Sequence, residues 1–142
     1  MKIQQLSVFV ENKPGRLRPP CDALAAAGIN LVTLSLADTR QYGILRMIVS
    51  DWQRAKAVLE QSGYSVNVCE VLAVAVPDRP GGLAGVLAAM EDAGINVEYM
   101  YAFSEKHDDR AVLVFRVENP DAAIAALSQA GVTVVSNVDL FG

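Results

Sequence analysis

Two segments of this chain carry the same pattern at a fixed separation, and that constrains its fold more than any other feature. Asp78, Arg79, Pro80, Gly81, Gly82 and Leu83 lead into a helical pattern closed by Gly94, Ile95 and Asn96. Asn12, Lys13, Pro14, Gly15, Arg16 and Leu17 lead into another, closed by Gly28, Ile29 and Asn30. Every matched pair lies 66 residues apart, and the step from Pro to closing Gly is 14 residues in both copies. A lone Pro-Gly marks any turn. Two with the same internal spacing mark a duplicated module, so 142 residues divide into two small modules rather than one ordinary domain.

The first copy reads as strand, helix, strand, strand, helix, strand. Ile3 to Val10 alternates, with Leu6, Val8 and Val10 on one face. Pro19 and Pro20 fit a helix only in its first turn, which puts the helix start at Leu17 or Arg18 and its apolar face on Leu17, Cys21 and Leu24. Gly28 supplies the C-terminal cap. Strands over Leu31–Ala37 and Gly43–Ser50 flank a polar turn at Asp38–Gln41. Asp51 caps a second helix with Ala55, Val58 and Leu59 inward and Gly63 as its stop, and Tyr64–Cys69 is the last strand. Glu70–Val76 follows without a Ser/Gly-rich tether. The modules are therefore expected at 1–69 and 70–142, packed as one unit. In the second copy Leu83, Leu87 and Met90 mark one helix face, and Ala123 and Leu127 the other. Asn119, Pro120 and Asp121 start the later helix, Asn119 matching Asp51. The offset grows to 68 because two extra residues fall in the loop Glu105–Asp109.

The order βαββαβ, with helices on one sheet face, predicts an α+β fold of two ferredoxin-like modules with antiparallel sheets. The other face is expected to be open. Leu34 and Leu36 turned toward the helices would turn Tyr99, Tyr101 and Phe103 of the second copy outward, beside Val112 and Val114. An exposed apolar patch marks an interface, so those three aromatics predict a homodimer.

The Pro-Gly turn has a chemical use beyond connecting strand to helix. It gathers backbone N–H groups at a helix start, where the helix dipole favours an anion. Gly81 and Gly82 leave no side chain to obstruct a carboxylate or phosphate there, and Asp78, or Asn12 in the first copy, is placed to accept from an ammonium group. The bland reading is a turn that only connects.

Other function classes are disfavoured. A net charge of −4 gives no footprint for nucleic acid, and the aromatic strand lacks the basic surroundings of an RNA-binding sheet. No apolar run reaches the roughly 18 to 20 residues of a membrane span, and no signal-like segment opens the chain, so the expected location is cytoplasmic. Cys21 and Cys69 form no metal or redox motif, and Cys21, matching Leu87, reads as a core residue. His107, with Glu105, Lys106, Asp108 and Asp109 around it, reads as a solvated hairpin tip rather than a metal site. No nucleophile motif, metal cluster or phosphate loop is visible, so neither a cofactor nor catalysis is expected.

The two Pro-Gly loops and both Gly-Ile-Asn segments resemble those of tandem ACT-domain proteins, and the resemblance covers essentially the whole chain. It implies a non-enzymatic regulatory module that binds a free amino acid where two ACT domains meet and signals to a partner protein in trans. Carried over residue by residue, it implicates Asn12, Gly15 and Asn30 in one copy and Asp78, Pro80, Gly81, Gly82, Leu83 and Asn96 in the other. Asn30 and Asn96 also have a purely structural reading, as residues that tolerate a turn after a helix. Arg16, standing where the other copy has Gly82, and the Pro19–Pro20 pair favour the second loop. The alternative function is an assembly module that uses the open sheet face and needs no ligand.

Overall fold

The computed structural model describes residues 2–38, 40–103, 109–136 and 139–140. It divides into two compact units at the bond between Cys69 and Glu70, with Lys2 and Ile3 grouped with the later residues.

The first unit contains β1 (Ile3–Glu11), α1 (Arg18–Ala26), β2 (Leu31–Asp38), β3 (Tyr42–Val49), α2 (Trp52–Gln61) and the start of β4 (Val66–Pro77). The second contains the rest of β4, then α3 (Gly82–Asp92), β5 (Val97–Ala102), β6 (Arg110–Val117), α4 (Pro120–Gln129) and β7 (Thr133–Val135). The strand order is β2-β3-β1 with the start of β4 next to β1 in the first unit, and β7-β4-β6-β5 in the second. The α+β, antiparallel βαββαβ architecture expected from the repeat is the one observed. Tyr64–Cys69 and Glu70–Val76, read from the sequence as two strands, are one strand from Val66 to Pro77. No Gly or Pro interrupts that run before Pro77, so nothing ends the extended backbone at the module boundary.

Alternation along the strands builds each core. Leu6, Val8 and Val10 of β1 and Leu45, Met47 and Val49 of β3 pack with Leu24, Ala55 and Leu59. Leu72, Val74 and Val76 of β4 and Phe115 and Val117 of β6 pack with Val86, Met90, Ala123 and Leu127. Val86 is buried although it lies outside the expected helix face, and Leu83 and Leu87 are only partly buried.

The repeat extends to single hydrogen bonds. Asp51 Oδ1 accepts from the Arg54 amide at 3.3 Å, and Asn119 Oδ1 accepts from the Ala122 amide at 3.2 Å. These caps satisfy amides that a helix start leaves without partners. The Ile29 amide donates to the Leu24 carbonyl and the Ile95 amide to the Met90 carbonyl, both at 2.9 Å, closing α1 and α3 in the same way. A register shift falls between Leu31 and Thr33 in β2 and between Val97 and Tyr99 in β5. One difference traces to two residues. By the repeat α1 should begin at position 16, opposite Gly82, but it begins at Arg18, because Pro19 and Pro20 must lie in the first turn.

Two expectations about exposure fail. Val112 and Val114 are only 5% and 0% exposed, so the sheet face away from the helices is not open there. Leaving such side chains in water costs about 25 cal/mol per Å2 of apolar surface, and in the folded chain that surface is withdrawn. Leu17 is not a core residue of α1 but 42% exposed, with Pro20 buried in its stead. Lys2 pairs with Asp121 at 3.3 Å and Glu70 at 3.5 Å. The hydrogen bond and charge of Asp121, then the charge of Glu70, raise its pKa.

Candidate functional site

The loop before α3 is a closed turn. The Gly82 amide donates to the Arg79 carbonyl at 3.0 Å across Pro80 and Gly81, and Gly81 has φ of 85°. Proline second and a left-handed residue third is the pattern of a type II turn, and glycine adopts that φ without a Cβ penalty. The Asp78 amide donates to the Asp109 carbonyl at 3.3 Å, and the Arg79 amide to the Pro77 carbonyl at 2.9 Å. The first loop repeats all three bonds: Arg16 to Lys13 at 3.4 Å, Asn12 to Gln41 at 3.0 Å, and Lys13 to Glu11 at 3.0 Å. Gly15, like Gly81, is left-handed, with φ of 80°.

The two glycines of the second loop do different jobs. A Cβ on Gly81 would meet nothing within 4 Å, so that side of the turn is open to a ligand. Gly82 is buried, and a Cβ there would lie 2.0 Å from the Pro77 carbonyl oxygen. Its smallness lets α3 approach β4. The expectation that Gly82 keeps a path clear for a ligand is therefore corrected.

Helix starts separate into two kinds. α2 and α4 are capped by Asp51 and Asn119, whereas α1 and α3, which follow the Pro-Gly turns, have no side-chain cap and no acidic residue in the first turn. In α3 the amides of Leu83 and Ala84 lie in that uncapped turn, pointing out along the helix axis with the positive end of the dipole. In α1 the corresponding second and third positions are Pro19 and Pro20, which carry no N–H at all. The turns match; the anion donors do not.

Asn30 and Asn96 are exposed, just beyond the far ends of α1 and α3. The Asn30 amide donates to Ser50 Oγ at 3.4 Å, and its carbonyl accepts from the Ser50 amide at 3.2 Å. Asn96 lines a groove of about 550 Å3 with Gly94, Ile95, Glu118, Asn119 and Pro120. The 11 residues of α3, at 1.5 Å each, separate Asn96 from the loop Asp78–Leu83 by roughly 16 Å. Within one module, one amino acid does not touch both.

The aromatics Tyr99, Tyr101 and Phe103 are half-buried. Tyr101 pairs with Val114 and Tyr99 with Arg116, and the Phe103 amide donates to the Val112 carbonyl at 2.8 Å. Leu34 and Leu36 do turn to the helix side, but they are 49% and 47% exposed and line a groove with Leu17 and Cys21. Sequence reasoning missed that groove by placing Cys21 in the core. It also missed a second one, of about 330 Å3, formed by Phe9, Glu11, Arg16 and Tyr64. Glu105, Lys106, His107 and Asp108 lie outside the described residues. Among those described, no three His, Cys, Asp or Glu side chains converge as metal ligands, and no helix is long and apolar enough to cross a membrane.

A family profile for the ACT domain pair matches residues 1–141. The chain belongs to this family. A solved protein of Bacteroides thetaiotaomicron is 38% identical to it, covering 99% of this chain and 96% of its own, with a TM-score of 0.92. The ligand-free regulatory subunit of aspartate kinase from Thermus thermophilus is 21% identical, with 89% and 91% covered and a TM-score of 0.66. The corresponding subunit from Thermus flavus is 19% identical, with 90% and 92% covered and a TM-score of 0.63. These last two share the ACT-pair fold. A search of curated proteins returned no match.

Proposed function

We propose that this ACT domain pair is a non-enzymatic regulatory module that binds a free amino acid and passes the signal to a partner protein in trans. The observation that carries this reading is the start of α3 behind a Pro-Gly turn, which has no side-chain cap but keeps its amides, whereas α2 and α4 are capped by their own side chains and the uncapped α1 has prolines at its second and third positions. A free amino acid carries a carboxylate and an ammonium on one carbon. The carboxylate completes the cap at Leu83 and Ala84, and Asp78, exposed at the head of the same loop, accepts from the ammonium as a charge-assisted partner. The regulatory role of the Thermus subunits of the same fold agrees with this reading.

Thermal denaturation in the presence of each of the twenty amino acids tests it. An effector at 100 times its dissociation constant stabilises the native state by about 2.7 kcal/mol. If none of the twenty moves the transition, the amino-acid reading fails and a ligand-independent assembly role takes its place.

A further inference from the structure

One groove of the first unit carries chemistry that the matching positions of the second unit lack. It lies where β1 ends beside the segment entering β4, and Phe9, Glu11, Arg16, Tyr64 and Ser65 line its volume of about 330 Å3. None of Asn12, Gly15 and Asn30 lines it.

Its charge comes down to Arg16. The first loop and the start of α1 carry three cations, Lys13, Arg16 and Arg18. Lys13 pairs with Glu11 at 3.2 Å and Arg18 with Asp22 at 3.3 Å. Among the described residues the Arg16 side chain has no hydrogen bond, ion pair or ring contact, so it does not stack on the Phe9 or Tyr64 ring with which it shares the groove. Tyr64 packs against the core of its unit, whereas Phe9 stays 40% exposed.

The second module shows what the fold itself needs at these positions. There Phe9, Glu11, Arg16 and Tyr64 are matched by Ala75, Pro77, Gly82 and Val132. Thr133, the match of Ser65, accepts from Arg110 Nη1 at 3.3 Å. The same fold therefore closes without either ring and without the arginine. Gly82 has to be small because α3 begins at that position, close to Pro77; the later start of α1 leaves Arg16 exposed in the loop.

We infer that this groove is a binding site for a small organic anion that carries its charge next to a ring. The Arg16 guanidinium presents a planar fork that matches a carboxylate or a phosphate group, and the exposed Phe9 ring offers offset stacking to a ring of the ligand. An apolar cavity of about 150 Å3 already takes up benzene, so the groove has room for the ring and the anionic group together. Arg16 sets the sign of the ligand and Phe9 its flat body.

Ligand-observed NMR titration with phenylacetate, phenyl phosphate, acetate, inorganic phosphate and benzylamine tests the inference on the wild type, Arg16→Gly and Phe9→Ala. Both variants insert the residue that the second module carries. Phenylacetate or phenyl phosphate should bind the wild type, the tighter of the two naming the anionic group, and each variant should weaken it at least tenfold. The bound aryl anion should also slow modification of Arg16 by butanedione in the wild type, a readout that needs no variant to fold. Acetate or inorganic phosphate binding as tightly as its aryl counterpart, or benzylamine competing for the same site, overturns the proposal. Aryl-anion binding that either variant leaves unchanged, or failure of both aryl anions to bind, overturns it too. Sedimentation in which the variants lose a wild-type self-association without ligand assigns the groove to a second copy and overturns it as well. Each of these outcomes leaves the amino-acid reading of the α3 start untouched.

Discussion

Replacing Gly82 with alanine tests the packing that holds the α3 start in place. The new Cβ would lie 2.0 Å from the Pro77 carbonyl oxygen, 3.1 Å from the Pro77 carbonyl carbon and 3.4 Å from Val76 Cγ1. The nearest atom is backbone, so no rotamer change relieves the clash. Either α3 lifts by more than about 1 Å or β4 gives way, at an overpacking cost of about 1–3 kcal/mol. The same carbonyl accepts the Arg79 amide at 2.9 Å, and loss of that bond adds about 1 kcal/mol. Relief of glycine's backbone entropy returns only about 0.5–1 kcal/mol, so the net expectation is a loss of about 1–3.5 kcal/mol. Gly85, three residues on in the same helix, is exposed, and a Cβ there would meet nothing within 4 Å. Gly85→Ala should therefore gain up to about 1 kcal/mol from helix propensity alone. Denaturant titration of both variants gives the answer as opposite shifts of midpoint. In a thermal scan Gly82→Ala should melt about 2–14 °C lower, at 2–4 °C per kcal/mol for a chain of this size. A Gly82→Ala protein as stable as the wild type would show that α3 does not need this close approach.

The remaining expectations are simpler. Asn119→Ala and Asp51→Ala remove matching helix caps and should each cost about 1 kcal/mol in denaturant midpoint; a null effect for both would deny the caps any energetic role. Limited proteolysis of the native protein should spare residues 66–74, since β4 runs unbroken from Val66 to Pro77, and early cleavage there into two stable halves would contradict a continuous strand across the module boundary. Wild type should sediment as a dimer, and Tyr101→Glu, by placing a charge in an apolar contact, should sediment as a monomer. A wild type already monomeric at the same concentration ends the proposal that Tyr99, Tyr101 and Phe103 form an interface.

What could be read from the sequence was what depends on local geometry and repetition. The Pro-Gly turns, the Gly-Ile-Asn helix ends and the caps at Asp51 and Asn119 each rest on residues within a few positions of one another, and duplication removed the ambiguity of a single copy. Pro19 and Pro20 located the start of α1 because a missing N–H is tolerated only in the first turn. Burial across the sheet was not legible. Alternation puts Val112 and Val114 on the face away from the helices but does not say that the face is withdrawn from water. The groove beside Cys21 was hidden for a similar reason: a position aligned with Leu87 reads as core, and only the packed structure shows that the space beside it stays open. Gly82 was noticed for what its lack of a side chain would let in, whereas its contact with Pro77, five residues back, sets its identity. Loop and Asn were each recognised, but their separation along α3 needed the helix length.

Titration calorimetry of the effector against loop variants tests the central claim most directly. Binding to the start of α3 requires that Asp78→Ala weaken the effector at least tenfold, about 1.4 kcal/mol. Gly81→Val should abolish it, because valine is strained at a φ of 85° and its branches project into the open side of the turn. Gly15→Val should do less harm, since the first loop feeds a helix whose second and third positions are prolines without amides. Effector binding that survives Gly81→Val and is lost in Gly15→Val would place the site on the other copy and contradict the account.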